Sequence, residues 1–370
     1  MAYTSIDNPE LYFQAKTWTG TGNEIAITFD GSENMQPDWV WSKARDSLGS
    51  ITGNHFLYDS VRGAGAEKEL SSNSTGVEGA NANHQYGYIS SFNTDGFTTT
   101  AGSSNNDYFN KSSVKYVAWN WKAGGTASSN TDGDETTSVS VNQTAGFSIV
   151  SYTGTGSVDT FGHGLGAKPN LMIQKKRSGS AAWTVYHDKV DANPSHKYLY
   201  LSSTAALADY ADHFNDTEPT SSVFTLGTDT SINGSGATNI MYCFAEKKGY
   251  SKFTSFTGNG STDGPFVYLG FRASFVIIKR TDTSANWQMY DNKRDGYNGA
   301  GYPAKGNESL RPNTSEAESS ATGYDIDICA NGIKLRNSNS TMNSSGATHI
   351  VMAFAESPFV NSSGIPCNAR

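Results

Sequence analysis

The chain has 370 residues, a formal net charge of -8, 12% aromatic residues and only 17% charged ones. That balance excludes a disordered polyampholyte, and acidity without a Lys/Arg run excludes a nucleic-acid partner, because phosphate binding needs clustered cations. No run of 18 apolar residues occurs, so membrane insertion is not expected, and Cys243, Cys329 and Cys367 lie too far apart for a metal-ligand spacing or a disulfide framework.

Residues 1–12 contain neither a basic nor an apolar signal-peptide region. They precede a stretch, 13–123, with four landmarks. These are an aromatic and glycine turn, WTGTG at Trp18–Gly22; an apolar run ending in basic residues, PDWVWSKAR at Pro37–Arg45; HFLYD at His55–Asp59; and a closing run, VAWNWKA, from Val117. Short runs of aromatic and β-branched residues bounded by turn residues read as strands. The loop before the closing run holds Tyr86 and Tyr88, candidate ligand contacts, since a flat ring can stack on a sugar while its hydroxyl hydrogen-bonds. GAEKELSS, 65–72, has helix-favouring residues and reads as a short loop insertion, as does 203–214 in the next copy.

Residues 124–144, rich in Gly, Ser, Thr and Asp, have the composition of a linker. Asp132, Asp134 and Glu135 there lack the spaced ligands of a calcium loop, so no metal site is assigned. In residues 145–248 the landmarks return as YTGTG (Tyr152–Gly156), PNLMIQKKR (Pro169–Arg177), WTVYH (Trp183–His187) and IMYCFAE from Ile240, with the second such loop insertion at 203–214. In residues 249–357 they return as FTGNG (Phe256–Gly260), ASFVIIKRT (Ala273–Thr281), WQMYD (Trp287–Asp291) and IVMAFAE from Ile350. The third loop adds Tyr297 and Tyr302 as candidate contacts, and residues 358–370 form a tail.

Internal duplication is the direct reading of landmarks repeated in fixed order. The expected fold is all-β: three tandem antiparallel β-sandwich modules of jelly-roll or lectin-like type, 13–123, 145–248 and 249–357. A framework that repeats while its loops diverge places recognition on the loops.

No catalytic, cofactor or metal set emerges. His55, His187 and His349 fall where other copies carry different residues, so none of these positions requires an imidazole. The repeated cations Lys43/Arg45, Lys175/Arg177 and Lys279/Arg280, with the pairs Asp59/Arg62 and Asp291/Arg294, allow two readings. One is a repeated anion site; the other, favoured because framework positions usually serve the framework, is a salt-bridged network tying a strand end to the next loop.

These stretches resemble virion structural proteins of marine tailed bacteriophages, cyanophages and pelagiphages included, which are tail-fibre-like and built of repeated domains of unknown function. The likeness rests on DNPELYFQ leading to PDWVWSKAR, on GHGLGAKPNLMIQKKR with WTVYH and YLYLSSTAA, on YCFAEKKGYSKFTSFTGNG with FVIIKRTD and MAFAESPF, and on the terminal GIPCNAR. It covers nearly the whole chain; Ala273 stands where the family usually has Pro. The resemblance implies a non-enzymatic virion component without a cofactor, assembled in the host cytoplasm. It implies docking to other virion proteins through residues 1–12, contact with a host surface glycan or protein through the variable loops, and a homo-oligomer, fibres being commonly trimeric. A capsid decoration or head-fibre protein is the alternative reading, and a polysaccharide depolymerase a further one.

Overall fold

In the closing run KYVAWNW, Val117, Trp119 and Trp121 alternate with Tyr116, Ala118 and Asn120, and all six are buried. Successive residues of a strand point to opposite faces, so such a run is stable only as a strand covered on both sides. The computed structural model, which describes residues 3–49, 53–80, 85–104, 107–294, 308–319 and 323–367, is all-β and builds its sheets around runs of this kind.

The first unit holds β1 (Phe13–Thr19), β2 (Ile25–Ile27), β3 (Trp39–Ala44), β4 (His55–Asp59), β5 (Tyr88–Phe92), β6 (Phe97–Thr100) and β7 (Lys115–Trp121). They form an antiparallel sheet in the order β1-β7-β3-β4 and a smaller one in the order β2-β6-β5.

The second unit holds β8 (Ser128–Asn130), β9 (Thr137–Asn142), β10 (Phe147–Thr153), β11 (Asp159–Gly162), β12 (Leu171–Lys176), β13 (Thr184–His187), β14 (Lys197–Tyr200), β15 (Ala208–Asp209), β16 (Val223–Leu226) and β17 (Thr238–Phe244). Its large sheet runs β15-β14-β13-β12-β17-β10-β9-β8, beside the pair β11-β16. The third unit holds β18 (Ser251–Thr257), β19 (Phe266–Tyr268), β20 (Phe271–Arg280), β21 (Gln288–Asp291), β22 (Ile326–Cys329), β23 (Gly332–Leu335) and β24 (Thr348–Pro358), in sheets β18-β24-β20-β21 and β19-β23-β22. The order of the four landmark strands is therefore the same in every unit: β1-β7-β3-β4, β10-β17-β12-β13 and β18-β24-β20-β21.

Alternation along these strands feeds two kinds of core. Outward-facing residues meet the unit's own smaller sheet: Val40, Tyr58 and Tyr116 with Ile27, Ile89 and Phe97; Val150, Met172 and Met241 with Phe161 and Phe224; Val276, Ile278 and Val351 with Val267, Ile328 and Ile333. Inward-facing residues of all three large sheets meet in one shared core that includes Trp39, Trp119 and Trp121, then Phe147, Trp183 and Tyr242, then Phe275, Met289 and Phe354. Phe13 of the first unit stacks on Phe354 of the third at 5.4 Å, and Trp39 stacks on Tyr242 of the second at 4.3 Å.

One segment departs from the sequence-based expectation. Residues 124–144 are not a linker: they contain β8 and β9, and β9 pairs with β10 because Val139, 3% exposed, has an apolar face to cover. The insertion at 203–214 contributes only one helical turn, Ala211–Phe214, and 65–72 contributes none. Residues 3–12 lie against the body, with Thr4 and Ile6 buried, Tyr3 Oη donating to the Gly270 carbonyl at 2.9 Å, and Ser362 N donating to Asp7 at 2.7 Å. Asn8 caps the turn Pro9–Leu11 by accepting from Glu10 N. In the tail, a bridge joins Val360 and Pro366.

Candidate functional site

The repeated charged residues meet where one unit touches the next. Each second-landmark strand carries a lysine that is at most 1% exposed, and its Nζ donates to the carbonyl of the following residue: Lys43 to Ala44 at 2.7 Å, Lys175 to Lys176 at 2.7 Å, Lys279 to Arg280 at 2.6 Å. Lys175 and Lys279 also reach the carbonyl of a loop from the preceding unit, Thr75 and Thr204, each at 3.4 Å. Burial disfavours the ammonium form and lowers Lys43 to about 7, against the pull of Glu318, and Lys175 and Lys279 to about 8.

A third-landmark ring makes the matching contact beside each lysine. Trp183 Nε1 donates to Ser71 O at 2.8 Å, Trp287 Nε1 to Tyr200 O at 3.0 Å, and His55 Nε2 lies 3.1 Å from Arg311 O. Because His55 Nδ1 accepts from Trp41 Nε1 at 3.0 Å, the proton sits on Nε2 and the neutral imidazole stands in for an indole. First unit holds second, second holds third, and third holds first, so the contacts close a ring.

Two of the three junctions add ion pairs. At the first, Arg62 and Asp59 are both fully buried and paired at 2.5 Å, Glu78 bridges Arg62 and Arg177 at 3.0 and 2.8 Å, and Tyr242 Oη donates to Asp59 at 2.7 Å. The junction of third and first units repeats this with Asp291–Arg294, Glu318–Arg45 and Trp119 Nε1 donating to Asp291 at 3.0 Å. The remaining junction replaces the whole set. His187 stands for the aspartate, Val190 for its arginine, Leu207 for the glutamate, Thr281 for the second arginine and Met352 for the donor. The last identity explains the first, since a thioether offers no proton to a carboxylate. His187 stays neutral, its pKa held to about 4 by burial, and Val190 and Leu207 pack on the shared core.

These cations are consumed by the framework, which is the network reading of their sequence pattern. Asp59→Ala is expected to cost about 3–5 kcal/mol, because Arg62 would lose its fully buried carboxylate and keep only Glu78 as an anionic partner, while Tyr242 Oη would lose its acceptor. Transplanting the apolar set instead (D59H, R62V, E78L, R177T and Y242M together) should restore much of that loss. Urea midpoints of wild type and the two variants test this; a combined variant weaker than Asp59→Ala contradicts it.

Between the first and third units the same architecture leaves a cleft of about 680 Å³, lined by Asn54, Asn73, Ser74, Tyr108, Asn313, Thr314, Ser315 and Glu316. Its amides are fixed from behind. Asn73 accepts from His55 N at 2.9 Å and donates to Asn54 at 2.8 Å, while Asn313 accepts from Trp287 N at 3.0 Å and donates to Asn286 at 2.7 Å. Arg311 holds Glu316 at 2.5 Å. Preset amides, hydroxyls and one aromatic wall suit a polyhydroxylated ligand, which needs directional hydrogen bonds together with a flat apolar surface.

Tyr86 is drawn towards this cleft, its ring 4.7 Å from that of Tyr108. Tyr88 lies on β5, half-buried against the first unit's outer core. Tyr297 and Tyr302 lie outside the described residues. Sequence reasoning passed over Asn54, Asn73 and Asn313, although one signal was present: an asparagine immediately precedes the third landmark in both flanking units, Asn54 and Asn286. Five histidines, His55, His163, His187, His213 and His349, are buried parts of the framework. His163 accepts from Leu165 N at 3.2 Å, His213 stacks on Tyr198 at 3.8 Å and His349 on Phe256 at 4.9 Å. Asp134 accepts from Thr160 Oγ1 at 2.7 Å and Asp132 from Asn130 at 2.8 Å.

Residues 8–358 match the model of one family, described as a domain of unknown function, DUF7483. No curated protein and no solved structure matches the chain.

Proposed function

We propose, for a chain that belongs to the DUF7483 family, a role as a structural component of a tailed-bacteriophage virion: a tail-fibre or receptor-binding protein that holds a host-surface glycan in the cleft between its first and third units. The observation that carries the recognition part is the cleft itself, whose amides are oriented by backbone contacts before any ligand arrives. Preorganisation of this kind reduces the entropy lost on binding. The virion part rests on the sequence resemblance, to which a rigid β framework with short helical turns is suited. The role is non-enzymatic. A homo-oligomer, fibres being commonly trimeric, belongs to the same reading and rests on the resemblance.

Gold-labelled antibody against the protein should decorate the tail of the particle in electron micrographs, and label confined to the head would replace the fibre reading by capsid decoration. Envelope polysaccharide purified from the bacterium that the particle infects should be retained by the immobilised protein. Retention should fall at least fivefold in Thr314→Arg, which fills the cleft, and persist in Lys197→Ala, on the second unit. New reducing ends in the polysaccharide after incubation would instead support a depolymerase.

A further inference from the structure

We propose that the outer face of β19 is a second, separate saccharide site, a platform made by Phe266 and Tyr268. These rings are 46% and 53% exposed and project side by side from one strand, two residues apart, on the side opposite buried Val267. Fold alone does not require them. The buried residue matching Val267 is Ile27 in the first unit and Phe161 in the second, and its neighbours there are Ala26 and Thr28, and Thr160 and Gly162. In the second unit the chain covers this place itself: a Cβ on Gly162 would strike the Asn130 side chain, and Thr160 Oγ1 donates to Asp134 at 2.7 Å. In the third unit the rings are half open to solvent.

Their surroundings hold both rings in place. The Phe266 ring lies over Gly332, where a Cβ would come within 2.7 Å of its Cζ. The Tyr268 hydroxyl is 3.0 Å from that of Tyr3, which donates to the Gly270 carbonyl and carries Lys248 over its ring at 4.4 Å. Beside Phe266, its cross-strand neighbour Lys334 pairs with Asp263 at 2.8 Å, and Arg336 pairs with Asp327 at 2.5 Å.

The chemistry of this surface selects its ligand. The negative face of an aromatic ring attracts the C–H groups on one side of a pyranose, while the tyrosine hydroxyls, Asp263 and Lys334 can bond the sugar hydroxyls at its edge. Since Lys334 and Arg336 beside Phe266 are paired with Asp263 and Asp327, a neutral sugar is favoured over an acidic one. A protein partner is disfavoured by size: two half-exposed rings offer on the order of 200 Å², against about 800 Å² per partner in a stable protein interface.

The test uses the full chain with the methyl glycosides of glucose, galactose, mannose and N-acetylglucosamine as probes, read by saturation-transfer NMR and titration. At least one is expected to bind, and Phe266→Ala/Tyr268→Ala should weaken it at least tenfold without changing the melting temperature, both side chains being half-exposed. Thr314→Arg should leave this binding intact, which separates the platform from the cleft: loss in the cleft variant alone would overturn the platform and keep the cleft. Absence of binding by all four glycosides, or binding that survives the double variant, overturns the proposal. So does light scattering that finds an oligomer in wild type and a monomer in the double variant, since the face would then belong to a second copy.

Discussion

Replacing Trp39 by alanine should destabilise all three units together, by about 3–5 kcal/mol, the usual cost of emptying a large aromatic site. Trp39 belongs to the first unit, yet its ring lies 4.5 Å from Trp121 of the same unit, 4.3 Å from Tyr242 and 6.0 Å from both Phe147 and Phe244 of the second. Against a total stability of about 5–15 kcal/mol for a folded domain, that loss is a large fraction of the whole. Urea unfolding followed by tryptophan fluorescence and by far-ultraviolet circular dichroism should give one coincident transition, shifted as a whole. Two separated transitions, only one of them shifted, would mean that the units fold independently. The same argument predicts that residues 145–248 expressed alone are insoluble or molten, because Phe147, Ile149, Trp183, Tyr242 and Phe244 would lose their inward partners.

Stability should fall steeply as the pH drops from about 6.5 to about 4. Burial holds His163, His187 and His349 at about 4, and His55 well below its ordinary value. The unfolded chain binds protons on these rings below about pH 6.5 while the folded chain does not, so acid favours unfolding through that window. A shift of that size corresponds to about 3 kcal/mol per ring, so three rings together are comparable with the whole stability. The carboxyls of Asp38 and Glu318, raised by burial, oppose the trend only in part.

The buried lysines extend the slope upwards. Their folded values of about 7 to 8 lie below the ordinary 10.5, so the unfolded state holds the extra protons between about pH 7 and 10, and stability should rise across that range. Above about pH 10 buried tyrosines such as Tyr58 and Tyr242, raised by burial, reverse it, because the unfolded chain then releases phenolic protons that the folded chain keeps. Melting temperatures from pH 4 to 10 check the profile, and a flat line between 4 and 6.5 would refute it. His349→Asn, which copies Asn239 of the second unit, should remove part of the acid limb while leaving the alkaline rise.

Local sequence determined what local physics can determine. Alternating aromatic runs such as VAWNW and IMYCF specified β strands covered on both faces, repeated landmarks specified a repeated strand order, and the Asp–Arg spacing of three residues specified ion pairs within reach of one turn. Tertiary structure decided what depends on distant partners. An inward face is apolar whether its partner is a sheet of its own unit or a neighbour, so Trp39 and Phe354 could not announce a core shared by the whole chain. Gly, Ser and Thr composition could not distinguish a linker from β8 and β9, since polar strands on a sheet edge have the same composition. The cleft gathers Asn73 and Asn313, 240 positions apart, and only closure of the ring brings such residues together.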